Sequence, residues 1–91
     1  MAVTIRIPTQ LRSLAGGASE VSVEAANVSE ALKVLDAQHA GFAERLFDDH
    51  GELRRFVNVF VADEDIRFLD GLGTNLDDTA VVSIVPAVAG G

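Results

Sequence analysis

The sequence of 91 residues contains no cysteine, no tryptophan and no tyrosine, and its only aromatic residues are five phenylalanines. Without cysteine there can be no disulfide framework, no thiolate metal site and no cysteine nucleophile, so any covalent chemistry must use another atom. Basic residues are scarce, seven against fourteen acidic ones, and the formal net charge of −7 works against binding nucleic acid. The opening MAVTIRIPTQ alternates apolar and polar residues instead of running continuously apolar, so it reads as neither a signal peptide nor a membrane span. The expectation is a cytoplasmic protein with neither nucleic acid nor membrane as a partner. What remains is ordinary for a folded domain: 48% hydrophobic and 23% charged residues place the chain away from disordered compositions. A chain this short buries one compact core and leaves little room for a deep internal active site.

Residues 3–8 alternate, with Val3, Ile5 and Ile7 on one face and Thr4 and Arg6 on the other, and Pro8 ends the ladder; this is a half-buried strand. Gly16-Gly17 is a turn signal, and Val21 and Val23 alternate with Ser22 and Glu24 as a second strand, so the pair suggests a hairpin. From Val28 the period changes. Val28, Ala31, Leu32 and Leu35 fall at helical spacing, with Glu30, Lys33 and Asp36 outside; Asn27 or Ser29 is the N-cap, and Gly41 supplies a C-terminal stop. Residues 42–49 have room for a short second helical turn carrying Leu46 and Phe47. Residues 56–62 form a strongly β-prone run that is apolar on both parities, with Val57, Val59 and Val61 one way and Phe56 and Phe60 the other, which suits a central strand. A turn at Asp63-Glu64-Asp65, a brief strand at residues 66–68 and a turn-rich stretch over 70–78 precede the last strand at residues 80–85.

Strand, strand, helix, strand, short strand, strand, in a chain too short for a doubly wound sheet, points to an α+β β-grasp (ubiquitin-like) fold: a mixed sheet wrapping one main helix. The first and last strands would lie side by side at its centre. Residues 1–91 read as one domain, with 86–91 as a flexible C-terminal tail. Two terminal glycines are costly to order and pack nothing, so Gly90 and Gly91 do not stabilise the fold.

Several segments together carry a family likeness. They are Val3-Thr4-Ile5-Arg6-Ile7-Pro8-Thr9 with Leu11-Arg12, then Arg55-Phe56-Val57-Asn58-Val59, Glu64-Asp65-Ile66-Arg67-Phe68, and Val85-Pro86-Ala87-Val88-Ala89-Gly90-Gly91. In these the chain resembles the MoaD/ThiS family of ubiquitin-like sulfur carriers over its whole length, most closely the carriers of cysteine biosynthesis. The resemblance implies a protein co-substrate, not an enzyme, with no cofactor of its own. A terminal carboxylate, ionised at neutral pH, is a poor electrophile, and the resemblance implies that an E1-like adenylyltransferase/sulfurtransferase activates it with ATP. Sulfur then displaces AMP and leaves a thiocarboxylate on Gly91, with Gly90 beside it; this lets a cysteine-free chain handle sulfide. The implied acceptor is a pyridoxal-phosphate (PLP)-dependent cysteine synthase, or another sulfur-accepting synthase, followed by a metal-dependent peptidase, with the carrier a monomer when free. Phe56, Phe60, Val85, Pro86, Val88 and Ala89 are the partner-binding candidates.

The same residues admit competing readings. His39 and His50 stand apart with no third ligand at a metal-site spacing, and read as surface histidines; the acidic clusters at 48–49 and 63–65 read as solvated turns. Phe56 and Phe60 either line the sheet face opposite the helix, where a partner would dock, or are buried by residues 42–53. The small subunit of molybdopterin synthase and a ubiquitin-like protein modifier are alternatives that would use the same tail.

Overall fold

The computed structural model describes residues 2–55 and 57–86. Strand β1 (Val3–Arg6) pairs antiparallel with β2 (Glu20–Val23), Val3 opposite Val23 and Arg6 opposite Glu20, so the first two strands form the hairpin that their alternation implies. The connection is more than a turn. Thr9–Ala15 winds into a 3₁₀ helix that buries Leu11 and Ala15 and ends on Gly16 at φ 65°, a left-handed conformation that glycine adopts without a Cβ penalty.

Helix α1 (Val28–Gln38) buries Val28, Ala31, Leu32 and Leu35. Of the two N-cap candidates the cap is Asn27, whose Oδ1 accepts from the Glu30 amide at 2.8 Å, a bond typically worth about 1 kcal/mol; Ser29 lies inside the first turn. The expected stop at Gly41 is corrected. Helix α1 ends at Gln38, and Gly41 is the N-cap of a second helix, α2 (Phe42–Leu46), at φ 112°. That left-handed backbone calls for glycine, and a Cβ there would stand 3.1 Å from Leu14 Cδ2, which would have to give by a few tenths of an ångström. Asp36 fastens the two helices together: its Oδ1 accepts from the amides of Gly41 at 3.2 Å and Ala43 at 2.9 Å.

The sheet has five strands in the order β2-β1-β5-β3-β4. Strand β5 (Val81–Pro86) lies at its centre, parallel to β1 with Thr4 opposite Val81, and antiparallel to β3 (Val57–Val61) with Val59 opposite Ile84. The first and last strands are therefore neighbours, as the element order implies. Val3, Ile5, Val21, Val23, Val57, Val59, Val82 and Ile84 are buried, and they share one core with the apolar side of α1, with Phe42 and Leu46 of α2, and with Ile66. This is the α+β, ubiquitin-like β-grasp arrangement.

Three details depart from the sequence reading. Strand β3 is an interior strand, but the central position belongs to β5. Strand β4 is Glu64–Asp65, and Ile66–Phe68, expected as a brief strand, is a 3₁₀ turn. In a strand Ile66 and Phe68 would share a face; in the turn they separate, Ile66 being 1% and Phe68 85% exposed. Finally, β5 includes Pro86, which sits opposite Val57.

Candidate functional site

Alternation along the strands gives the sheet a second face. On β3, Val57 and Val59 are buried in the core while Asn58 and Phe60 point the other way and are half-buried; on β5, Val82 and Ile84 are buried while Val81 and Val85 are exposed, at 37% and 45%. Cross-strand register joins these outward residues into rows: Arg6 beside Ser83 beside Phe60 beside Asp65, and next to it Val85 beside Asn58. Phe60 and Val85 thus lie on one outward face, Val85 next to the end of β5 and Phe60, opposite Ser83, two positions back along it. Residues 42–53 direct Phe42 and Leu46 into the core beside α1, and Phe60 is half-buried.

Of the site residues read from the sequence, the structure therefore places Phe60 and Val85 on one face, with Pro86 following Val85 at core-facing parity opposite Val57. Phe56, Val88, Ala89, Gly90 and Gly91 lie outside the described residues. The outward face is mixed in character. Arg6 Nε stands 3.8 Å from Glu20 Oε2, both side chains more than half exposed, and such a pair contributes little to stability.

Two residues near this face escaped the sequence reading. Arg67 reaches back over the start of β3: its Nη1 donates to Asn58 Oδ1 at 2.6 Å and its Nη2 to the Val57 carbonyl at 3.0 Å. Asp65 holds it in place, accepting from the Arg67 amide at 2.9 Å and lying 4.0 Å from Nη1. No local pattern signals a contact between residues this far apart in sequence. Phe68 is the most exposed large apolar side chain among the described residues, and it would have been found only by reading residues 66–68 as a turn.

On the opposite side, a groove of about 480 Å³ between the helices is lined by Leu32, Lys33, Asp36, Phe47 and Leu72. Its carboxylate already serves the start of α2. His39 caps the end of α1, and His50 is in an exposed turn where its amide donates to Asp48 Oδ1 at 2.8 Å. That carboxylate also accepts from the Glu52 amide, and these two backbone bonds, that from Glu52 first, hold the Asp48 carboxyl below its ordinary value of 3.8. Among the described residues no three His, Asp or Glu side chains gather as a metal site, and no helix is long and apolar enough to cross a membrane.

Comparison with known proteins places this geometry. The model of the ThiS family matches residues 5–91. Sulfur carrier protein CysO of Mycobacterium tuberculosis is 46% identical over an alignment that covers all of both chains. Small archaeal modifier protein 3 of Haloferax volcanii is 44% identical over 72% of this chain and 71% of its own. A chain in the crystal structure of the BexX/CysO complex of Amycolatopsis orientalis superimposes with a TM-score of 0.92 at 44% identity, covering 99% of this chain and 100% of its own. The fold, the central position of β5 and these likenesses agree, and the chain belongs to the ThiS family.

Proposed function

We propose that this protein is a cytoplasmic sulfur carrier, a co-substrate whose reacting group is the carboxylate of Gly91. The observation that carries the proposal is the 46% identity along the whole length to a protein named as a sulfur carrier, with a family match that runs to residue 91. The fold is consistent with that role. Strand β5 runs between β1 and β3 over Val81–Ser83 and pairs with β3 alone from Ile84 to Pro86, so a tail beginning after Pro86 starts from the sheet, and residues 87–91, fully extended, could carry a terminal group at most about 17 Å from it. Glycine at positions 90 and 91 suits passage through a narrow channel, because neither residue presents a side chain and both have access to dihedrals closed to other residues.

The chemistry begins with ATP in an E1-like adenylyltransferase/sulfurtransferase. A carboxylate oxygen of Gly91 attacks the α-phosphorus, pyrophosphate leaves, and the acyl-adenylate forms. A sulfide donor then attacks the carbonyl carbon and expels AMP, leaving a thiocarboxylate at the end of the chain. That sulfur is a nucleophile and can be transferred to an activated small molecule. A PLP-dependent cysteine synthase is the proposed acceptor and a metal-dependent peptidase the releasing enzyme. The outward face that runs from Phe60 to Val85, towards the root of the tail, is the proposed docking surface, to which Phe56, Val88 and Ala89 would add; the carrier works as one domain of residues 1–91 and as a monomer.

A second reading, a protein modifier joined through the same carboxylate to lysines of other proteins, is favoured by the likeness to small archaeal modifier protein 3. One experiment separates the two. Wild type, a variant lacking Gly91 and a variant extended by one residue are incubated with the activating enzyme, ATP and a sulfur source, and intact masses are read. Displacing the carboxylate by one residue moves the reacting atom by about 3.5 Å, enough to defeat in-line attack, so only wild type should gain sulfur. Equal sulfur gain by the extended variant would remove Gly91 as the reacting residue, and isopeptides without thiocarboxylate would favour the modifier.

A further inference from the structure

A tail that must enter a partner's active site has to be aimed as well as anchored, and the sheet has a weak point where aiming is decided. Strand β4 spans only Glu64–Asp65 and covers β3 opposite Val61 and Phe60, no further. In an antiparallel ladder the backbone groups of alternate residues point to the same neighbour. The hairpin pair Val61 and Glu64 therefore directs the groups of Val59 and Val57 to the β4 side as well. At Val57 that strand has already ended, next to the place where β5 gives up the chain: Val57 lies opposite Pro86, and Asn58 opposite Val85. Pro86 has no N–H with which to pin itself to either neighbour.

The vacant strand position is taken by Arg67. Val57 donates its N–H to the Arg54 carbonyl at 3.0 Å, and its carbonyl accepts from Arg67 Nη2 at 3.0 Å while Nη1 takes Asn58 Oδ1 at 2.6 Å. One planar fork thus grips the backbone of one β3 residue and the side chain of the next, and Asp65 holds the fork from behind. Charge-assisted bonds of this kind are stronger than neutral ones and fix orientation.

We propose that Arg67 is a positioning residue for the tail: it substitutes for the missing length of β4 and sets the direction in which β5 delivers residues 87–91 to the activating enzyme. The inference rests on the sulfur-carrier reading. Arg67→Met removes the fork. Arg67→Lys keeps the charge, but a single ammonium lacks the rigid two-pronged geometry. Asn58→Ala removes one of its partners.

The test measures thiocarboxylate formation with the carrier as varied substrate, together with amide hydrogen exchange. Misplacement by about 1 Å can cost as much as about 100-fold in rate. In folded Arg67→Met protein we therefore expect kcat to fall by about tenfold or more with KM within about twofold, Arg67→Lys and Asn58→Ala falling between it and wild type. Exchange should quicken at Val85 and Asn58 while Ile5 and Val82 keep wild-type protection, a local pattern that general destabilisation would not give. Unchanged kcat in a folded variant overturns the proposal, as does a raised KM with unchanged kcat, which would make Arg67 a docking contact. Failure of wild type itself to gain sulfur would reject the carrier reading instead.

Discussion

The turn between β3 and β4 offers a direct check on whether stability and function are separable in this domain. Ala62 and Asp63 are the two central residues of that hairpin, and both have positive φ, 51° and 70°, the signature of a type I′ turn. Alanine has no side-chain group to offset the left-handed conformation, which costs an L-residue about 1–2 kcal/mol; aspartate tolerates it better. Replacing the pair by Asn-Gly, as Ala62→Asn with Asp63→Gly, relieves the alanine cost and part of the aspartate cost, while the added glycine gives back about 0.5–1 kcal/mol of chain entropy. The net gain should be about 1 kcal/mol, which for a domain of this size raises Tm by about 4–8 °C. The turn lies at the opposite end of β3 from Val57, about 16 Å from the root of the tail. Sulfur loading should accordingly be unchanged. Circular dichroism melts of both proteins, with a loading assay on the same samples, make the measurement. An unchanged or lower Tm would refute the strain argument, and altered loading at a raised Tm would refute the separation of the two ends of the sheet.

Two further expectations concern the face and the loops. Phe60→Asp places a charge on the half-buried outward face between Ser83 and Asp65 and should raise the KM for adenylation while leaving the domain folded; unchanged activation kinetics in folded protein would reject this face as the docking surface. The Asp48 carboxyl is held below 3.8 by the amides of Glu52 and His50, so the stability it contributes is present above pH 3.8 and is lost as pH falls through its lower folded value. The Tm difference between wild type and Asp48→Ala should therefore be largest at neutral pH and shrink in strong acid, and a difference that persists undiminished there would contradict the assignment.

Much of this fold is legible in the sequence because its core obeys two simple periods. The alternation of Val3, Ile5 and Ile7 and the helical spacing of Val28, Ala31, Leu32 and Leu35 each announce which side is buried, and the structure buries them. What escapes is decided by contacts between distant residues. Gly41 has the look of a helix stop, yet the Asp36 carboxylate recruits the following amides into a second helix and makes the glycine its cap. Ile66-Arg67-Phe68 has strand composition, but Asp65 accepts from the Arg67 amide and starts a 3₁₀ turn instead, which frees Arg67 to reach β3 and leaves Phe68 in solvent. On the candidate site, parity alone separates Phe60 from Val57 and Val59, whereas the proximity of Phe60 to Val85 depends on the antiparallel register of β3 and β5, which no local pattern specifies. The bracing of Val57 by Arg67 is legible only in three dimensions.

The central claim, that Gly91 carries the sulfur, is tested most directly by locating the modification within the chain. After incubation with the activating enzyme, ATP and a sulfur source, the protein is digested and its C-terminal peptide is sequenced by tandem mass spectrometry. The account predicts a gain of about 16 Da, oxygen replaced by sulfur, confined to the fragment ions that contain Gly91. A C-terminal peptide of unaltered mass, or a gain that maps to any other residue, would contradict it.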